Sequence, residues 1–252
     1  MIKFGLKLWS NNIDLFSEAS DFFVSKENDF IELYHNCSEK LDFDALEIFK
    51  KINIPVVIHA PNSDGFHEFI IGERQKMIWK DTLKLADYFG SKRIVLHSGL
   101  VPNFDLFCEN LKKIDDPRIV IENMPGIDMY GNSLLFGCKI EDLKKVSKIK
   151  GVCFDVGHAI TSANAQKISY KDFLKKCFSE LDPVYLHISG EKEHALSDSH
   201  LNIYDGEYDM RYIKELIMSQ AVSKEVSLVF ETPKLDSRLA NDLKNIKFFK
   251  NL

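Results

Sequence analysis

Short apolar runs rich in β-branched and aromatic residues recur along the chain, and each is followed by a longer stretch whose apolar residues fall at helical spacing. Eight runs can be counted: Ile2 to Leu8, Phe30 to Tyr34, Pro55 to His59, Arg93 to His97, Arg118 to Glu122, Gly151 to Asp155, Pro183 to Ile188 and Ser227 to Glu231. Amphipathic stretches lie between them. Gly72 to Phe89 carries Ile78, Leu83, Leu85 and Ala86, and Lys139 to Ser147 carries Ile140, Leu143 and Val146. The runs VVIH, RIVLH, RIVIE and GVCFD are nearly all apolar, as expected of strands buried on both faces of a parallel sheet. This alternation predicts the α/β class, a single (β/α)8 barrel domain over residues 1–252. A doubly wound open sheet is the alternative, but the first strand, with Gly5-Leu6-Lys7-Leu8-Trp9, offers no GxGxxG phosphate loop.

Six of the eight runs end on, or are punctuated by, a residue of metal-ligand type: His59, His97, Glu122, Asp155, His187 and Glu231. In a barrel the C-terminal strand ends ring one mouth, so these six converge although they are far apart in sequence. His158, three residues after Asp155, and the pair Asp198 and His200 in SDSHLN add to them, giving four carboxylates and five imidazoles. Carboxylates crowded together raise one another's pKa by like-charge repulsion, and divalent cations remove that cost. A nitrogen-rich set bridged by carboxylates suits Zn²⁺ best, with Mn²⁺ or Fe²⁺ fitting where oxygen dominates. One histidine at a strand end is ordinarily structural; the inference rests on their common register. His35, His67 and His194 lack that placement and are expected in surface or loop positions.

Composition narrows the picture modestly. The 252 residues are 45% hydrophobic, enough for a large core, and the formal charge is −5 with a pI of about 5.9, so no global field attracts a polyanion. Five scattered cysteines without a CxxC pair, and no secretory apolar segment at the start, point to a reduced cytoplasm. No apolar run approaches the ~20 residues of a membrane span. Cys153 inside GVCFD reads as a small buried hydrophobe, and Lys144-Lys145 and Lys175-Lys176 as solvated faces of outer helices.

The stretches IENMPG, GVCFDVGHA, LHISG, SDSH, the Gly206-Glu207 pair and VFETP resemble those of endonuclease IV, AP endonuclease family 2, within the xylose isomerase-like barrels. The resemblance runs from about Pro55 to Pro233 and implies a trinuclear zinc centre. His59, His97 and Glu122 would hold one ion. Glu122 would bridge to a second, bound by Asp155, His187 and Glu231, and His158, Asp198 and His200 would hold the third. Glu122 and Glu231 are the implied catalytic residues, the first positioning the attacking nucleophile and the second orienting the central ion.

The recognition elements depart from the pattern. After His59 the chain reads Ala60-Pro61-Asn62-Ser63-Asp64, without that family's aromatic wedge, and Tyr34-His35-Asn36-Cys37-Ser38-Glu39 lacks its arginine. Two functions follow. The first is a metal-dependent phosphodiesterase, a hydrolase acting on abasic-site DNA, as in DNA repair, or on a smaller phosphodiester. The second is a sugar (phosphate) isomerase or epimerase, with one Mn²⁺-like ion on Glu122, Asp155, His187 and Glu231 and a proton shuttled by Glu122 and Glu231. A barrel that only binds is disfavoured because the ligand set is complete. Phe66, Arg74, Tyr130 and Arg211 are loop aromatics and bases that could still touch DNA, although each reads first as an ordinary surface or core residue. Trp9 either lines the pocket or plugs the barrel.

Overall fold

In the computed structural model, residues 1–61, 73–98, 103–127, 137–234 and 238–252 are described. Eight strands form one closed, all-parallel barrel in chain order: β1 (Ile2–Trp9), β2 (Phe30–Tyr34), β3 (Val56–His59), β4 (Ile94–His97), β5 (Ile119–Glu122), β6 (Gly151–Asp155), β7 (Tyr185–Ile188) and β8 (Val226–Phe230). The helices are α1 (Phe16–Val24), α2 (Phe43–Lys51), α3 (Glu73–Phe89), α4 (Phe104–Lys112), α5 (Ile140–Val146), α6 (Val156–Ala165), α7 (Tyr170–Leu181), α8 (Met210–Ala221) and α9 (Ala240–Asn251). The (β/α)8 expectation is met, and strand limits differ from the apolar runs by one or two residues. β3, β4 and β5 start just after the Pro or Arg that opened the run; a proline has no N–H for the ladder.

Side chains capping the helices explain several of the starts. Asp42 accepts from the Ala45 N–H (3.0 Å), Asn103 from Leu106 (3.1 Å) and Asp209 from Tyr212 (3.1 Å), each meeting one of the unpaired amides of a first turn. Apolar helix faces then pack on the outside of the barrel around Leu46, Phe49, Leu85, Leu174, Ile213 and Ile246. No helix of the described residues is long and apolar enough to cross a membrane.

Inside the barrel the strands contribute in layers. Phe30, Val57, Val95, Val120, Cys153, Tyr185 and Val229 form a separate buried cluster. Because strand residues two apart share a face, the next inward layer is Lys7, Glu32, His59, His97, Glu122, Asp155, His187 and Glu231. The register pairs Lys7 with Glu32, His97 with Glu122, and Asp155 with His187, and is offset by two residues at other steps, where Glu32 stands opposite Val57 and His59 opposite Val95, so the layer is staggered and Glu32 sits deeper than His59. The apolar layer is thus a floor beneath a ring of eight ionisable side chains, seven from strand residues and Glu231 from just past β8.

Gly5 takes the place a side chain would have in that floor. A Cβ there would come within 2.5 Å of Phe30 Cζ. Gly5→Ala is therefore expected to cost about 1–3 kcal/mol of stability through overpacking, read by urea denaturation, and Phe30→Leu in the same chain should recover part of the loss.

Candidate metal centre

The nine expected residues meet at the mouth. His59, His97 and Glu122 form one group of ligand atoms within 4.8 Å of one another; Glu122, Asp155, His187 and Glu231 form a second, and His158, Asp198 and His200 a third. Glu122 belongs to the first two. Its Oε2 lies 3.1 Å from His59 Nε2 and 3.0 Å from His97 Nε2, and its Oε1 lies 3.0 Å from His187 Nδ1.

For three of the five rings an outer hydrogen bond decides which nitrogen is free. A carbonyl oxygen only accepts, so the nitrogen facing it carries the proton. His59 Nδ1 donates to its neighbour's carbonyl, Ala60 O (2.8 Å), His158 Nδ1 to Asn123 O (2.7 Å), and His200 Nδ1 to Glu231 O (3.1 Å). In the neutral rings this leaves the Nε2 lone pair of His59 facing Glu122, and those of His158 and His200 facing Asp198. A lone pair aimed at a carboxylate oxygen is repulsive unless a proton or a cation lies between. Asp155 Oδ2 and Asp198 Oδ1 are also buried without a hydrogen-bond partner. Free imidazole nitrogens, carboxylates with idle oxygens and outer acceptors orienting the rings are the donor set a zinc-type ion requires.

Local structure fixes these groups. Asp155 Oδ1 caps α6 by accepting from the His158 N–H (2.6 Å), and so sets the helix turn that brings His158 back over the site. Asn123, the residue after Glu122, clamps Asp155 on both sides: its Oδ1 accepts from the Asp155 N–H (2.6 Å) and its Nδ2 donates to the Asp155 carbonyl (2.8 Å). The loop bearing Asp198 and His200 is gathered by Glu191, which is fully buried. Glu191 accepts from the Ser199 N–H (2.9 Å), the Ser199 hydroxyl and the His200 N–H (3.1 Å). His200 sits there in the left-handed region, φ 47°, a strained position for a residue with a Cβ. Gly190 is packed so tightly that a Cβ would collide with the Asn202 carbonyl. The neighbouring Glu207 pairs with Lys192 at the surface (2.8 Å) and is no part of the centre.

Three ionisable residues that the sequence patterns did not single out join the centre: Lys7, Glu32 and Glu191. Lys7 and Glu32 stand inside their strands rather than at the ends, but Gly5-x-Lys7 and Phe30-x-Glu32 have the same inward spacing as Val57-x-His59, and that signal was available. Glu191, beyond β7, gave none. The other histidines divide. His194 is exposed. His35 is in a loop as expected but is buried rather than at the surface; its Nδ1 donates to Thr82 Oγ1 (2.8 Å), whose own proton goes to Ile78 O. Burial pushes its imidazole down to about 4, with Asp81 opposing. Trp9 neither plugs the barrel nor lies deep in it: it is half exposed at the rim, 5.3 Å from the Tyr34 ring, which in turn lies 5.5 Å from His59. Arg211 is exposed at the start of α8. Phe66, His67, Tyr130, the side chain of Arg74 and the segment 62–64 lie outside the described residues.

Protons take the counter-charge role among the protein groups themselves. Burial alone would lower His158, but Asp155 and Asp198 raise it well above the ordinary histidine value; burial likewise opposes His200, which Asp198 lifts to about 9. Burial, with Glu122, Asp198 and Glu231 nearby and against the pull of His158, lifts Asp155 to about 6. A cation entering must displace the protons on these rings. Metal uptake at pH 7 is therefore expected to release protons, seen as a calorimetric heat that depends on buffer ionisation enthalpy, and apparent affinity should fall as pH falls from 9 toward 6. Glu191→Ala should weaken the ion at His158, Asp198 and His200 by about 10- to 100-fold, measured by chelator competition.

The chain is 26% identical over 194 residues to an uncharacterized protein of Methanocaldococcus jannaschii, a match over 68% of this chain that spans only 62% of that protein's length. Among solved structures, endonuclease IV from Thermus thermophilus superposes with a TM-score of 0.70 at 17% identity, covering 99% of this chain and 98% of that one. AP endonuclease, family 2 from Brucella melitensis gives 0.65 at 15% identity, over 100% and 99%. D-allulose 3-epimerase from Methylomonas sp., in complex with D-allulose, gives 0.63 at 12%, over 99% and 96%. At these identities the structural likeness establishes the fold alone. The profile of the xylose isomerase-like TIM barrel family matches residues 29–252, and the chain belongs to that family.

Proposed function

We propose that this chain, working as one barrel domain, is a metal-dependent phosphodiesterase with up to three zinc-type ions at the mouth, cleaving abasic-site DNA or a smaller phosphodiester. The third group carries the proposal. His158, Asp198 and His200 gather against the other two groups, with Asp198 Oδ1 buried and partnerless and His200 held at positive φ. An isomerase needing one ion on Glu122, Asp155, His187 and Glu231 gives no reason to maintain that strained, converging third set.

Divalent ions, when bound, polarise a phosphoryl oxygen and supply a nucleophile at neutral pH. The protein's own contribution is placement and charge. Glu122 presents one oxygen to His59 and His97 and the other to His187, and so ties two groups to a single carboxylate. Glu231 faces His187 (2.9 Å) with Oε1 and leans toward His200 Nδ1 (3.8 Å) with Oε2. Glu122, Asp155, Asp198 and Glu231 are four carboxylates. Three divalent cations over-compensate them and leave a mouth that attracts an anionic phosphodiester; one cation leaves it negative, and then a neutral sugar is the better guest.

With a single bound ion the same charge balance favours a second reading, a sugar isomerase or epimerase. Glu122, Asp155, His187 and Glu231 form a complete four-ligand group by themselves, and an epimerase is among the fold's structural neighbours.

Elemental analysis of protein purified without chelator, together with cleavage of a duplex carrying one abasic analogue, tests the choice. About three zinc equivalents per chain, with His97→Ala reducing cleavage at least 100-fold, is the expected result. One ion, an intact duplex and turnover of a ketose would reverse the ranking.

A further inference from the structure

The ring contains one pair that the proposed chemistry leaves unused. Lys7 and Glu32 are register partners on β1 and β2, Lys7 nearly buried and Glu32 fully so. Both oxygens of Glu32 are committed. Oε1 accepts from Lys7 Nζ (2.5 Å), while Oε2 accepts from the Tyr185 hydroxyl (2.5 Å) and lies 2.8 Å from His187 Nε2. Lys7 Nζ also donates to Glu231 Oε1. Glu32, His59, His187 and Glu231 are themselves close enough to form a further cation cluster, and the Lys7 ammonium contacts two of its carboxylates.

We propose that Lys7 and Glu32 are a positioning pair beneath the metal centre: Glu32 holds the His187 ring with Nε2–H turned down and Nδ1 turned toward Glu122 and Glu231, and the Lys7 ammonium serves as a built-in cation among the deeper carboxylates. The pair belongs to a histidine whose second nitrogen is oriented by a carboxylate, an arrangement that fixes ring and tautomer for a metal on the first nitrogen. Tyr185, from the apolar floor, donates to the same oxygen of Glu32 and leaves it no freedom to rotate away. Lys7 compensates the charge of Glu32, a carboxylate the ions themselves do not need, so that this carboxylate does not draw a cation below the working level.

The inference rests on the metal reading of the site but on neither candidate substrate, so its test uses binding alone. Metal-stripped wild type, Glu32→Leu, Lys7→Met and the double variant are titrated with zinc against a chelator, and each metal-free form is melted. Glu32→Leu is expected to weaken the most affected zinc by about 10- to 100-fold. Lys7→Met, which removes a competing cation, should bind zinc at least as tightly as wild type while melting lower, because it strands a buried carboxylate. The double variant replaces the pair with apolar side chains; it should melt near wild type yet keep the zinc defect, which a purely structural role would not produce. It also serves if Glu32→Leu does not fold. Wild-type zinc affinity in the double variant, or an equal loss in Lys7→Met and Glu32→Leu, overturns the proposal. A wild type that takes up no zinc overturns the metal reading and the pair together.

Discussion

A closed parallel barrel has one interior, and side chains two residues apart on a strand must share it. Every other feature of this molecule depends on that constraint. Once Val57, Val95, Val120, Cys153, Tyr185 and Val229 are committed to the floor, the next inward position on each strand is forced into the space above it, in a staggered ring. The chain places an acid, an imidazole or an ammonium at each of them. No single element could assemble such a ring; eight strands in register do it without any long-range contact beyond the barrel's own ladder.

Charge then governs how the ring is tolerated. Four carboxylates at the mouth and one below it, all held close together, are unfavourable unless cations or protons are interleaved. The protein itself supplies two sources: protons on His158 and His200, whose pKa values Asp155 and Asp198 raise against burial, and the ammonium of Lys7. Burial would push Glu32 up, but His187 and Lys7 hold it at about 2, so the deep carboxylate remains ionised. The mouth is the part left open to exchange of charge.

Much of this was legible before folding. Continuous apolar runs such as VVIH and RIVIE identify buried parallel strands, and their terminal His, Glu and Asp residues identify the mouth, because a strand's end is visible in the hydrophobic pattern. What escaped lies where that pattern is silent. Lys7 and Glu32 interrupt apolar runs rather than ending them, and only the inward spacing from Gly5 and Phe30 reveals them. Glu191 works through backbone amides of a loop eight residues further on, a relation that depends on how Gly190 packs beneath Asn202. The buried place of His35 likewise depends on α3, whose Thr82 accepts its proton.

Asp155 has two employments, one for each carboxylate oxygen. One oxygen caps the helix that carries His158; the other faces the centre with no partner. The segment from Val156 to Ala163 is wholly buried, so this helix is interior architecture rather than an outer cover. Chemistry and scaffold are therefore joined here, and a lineage of such barrels cannot drift at this position by small steps: any replacement must supply a new helix cap and a new charge at once.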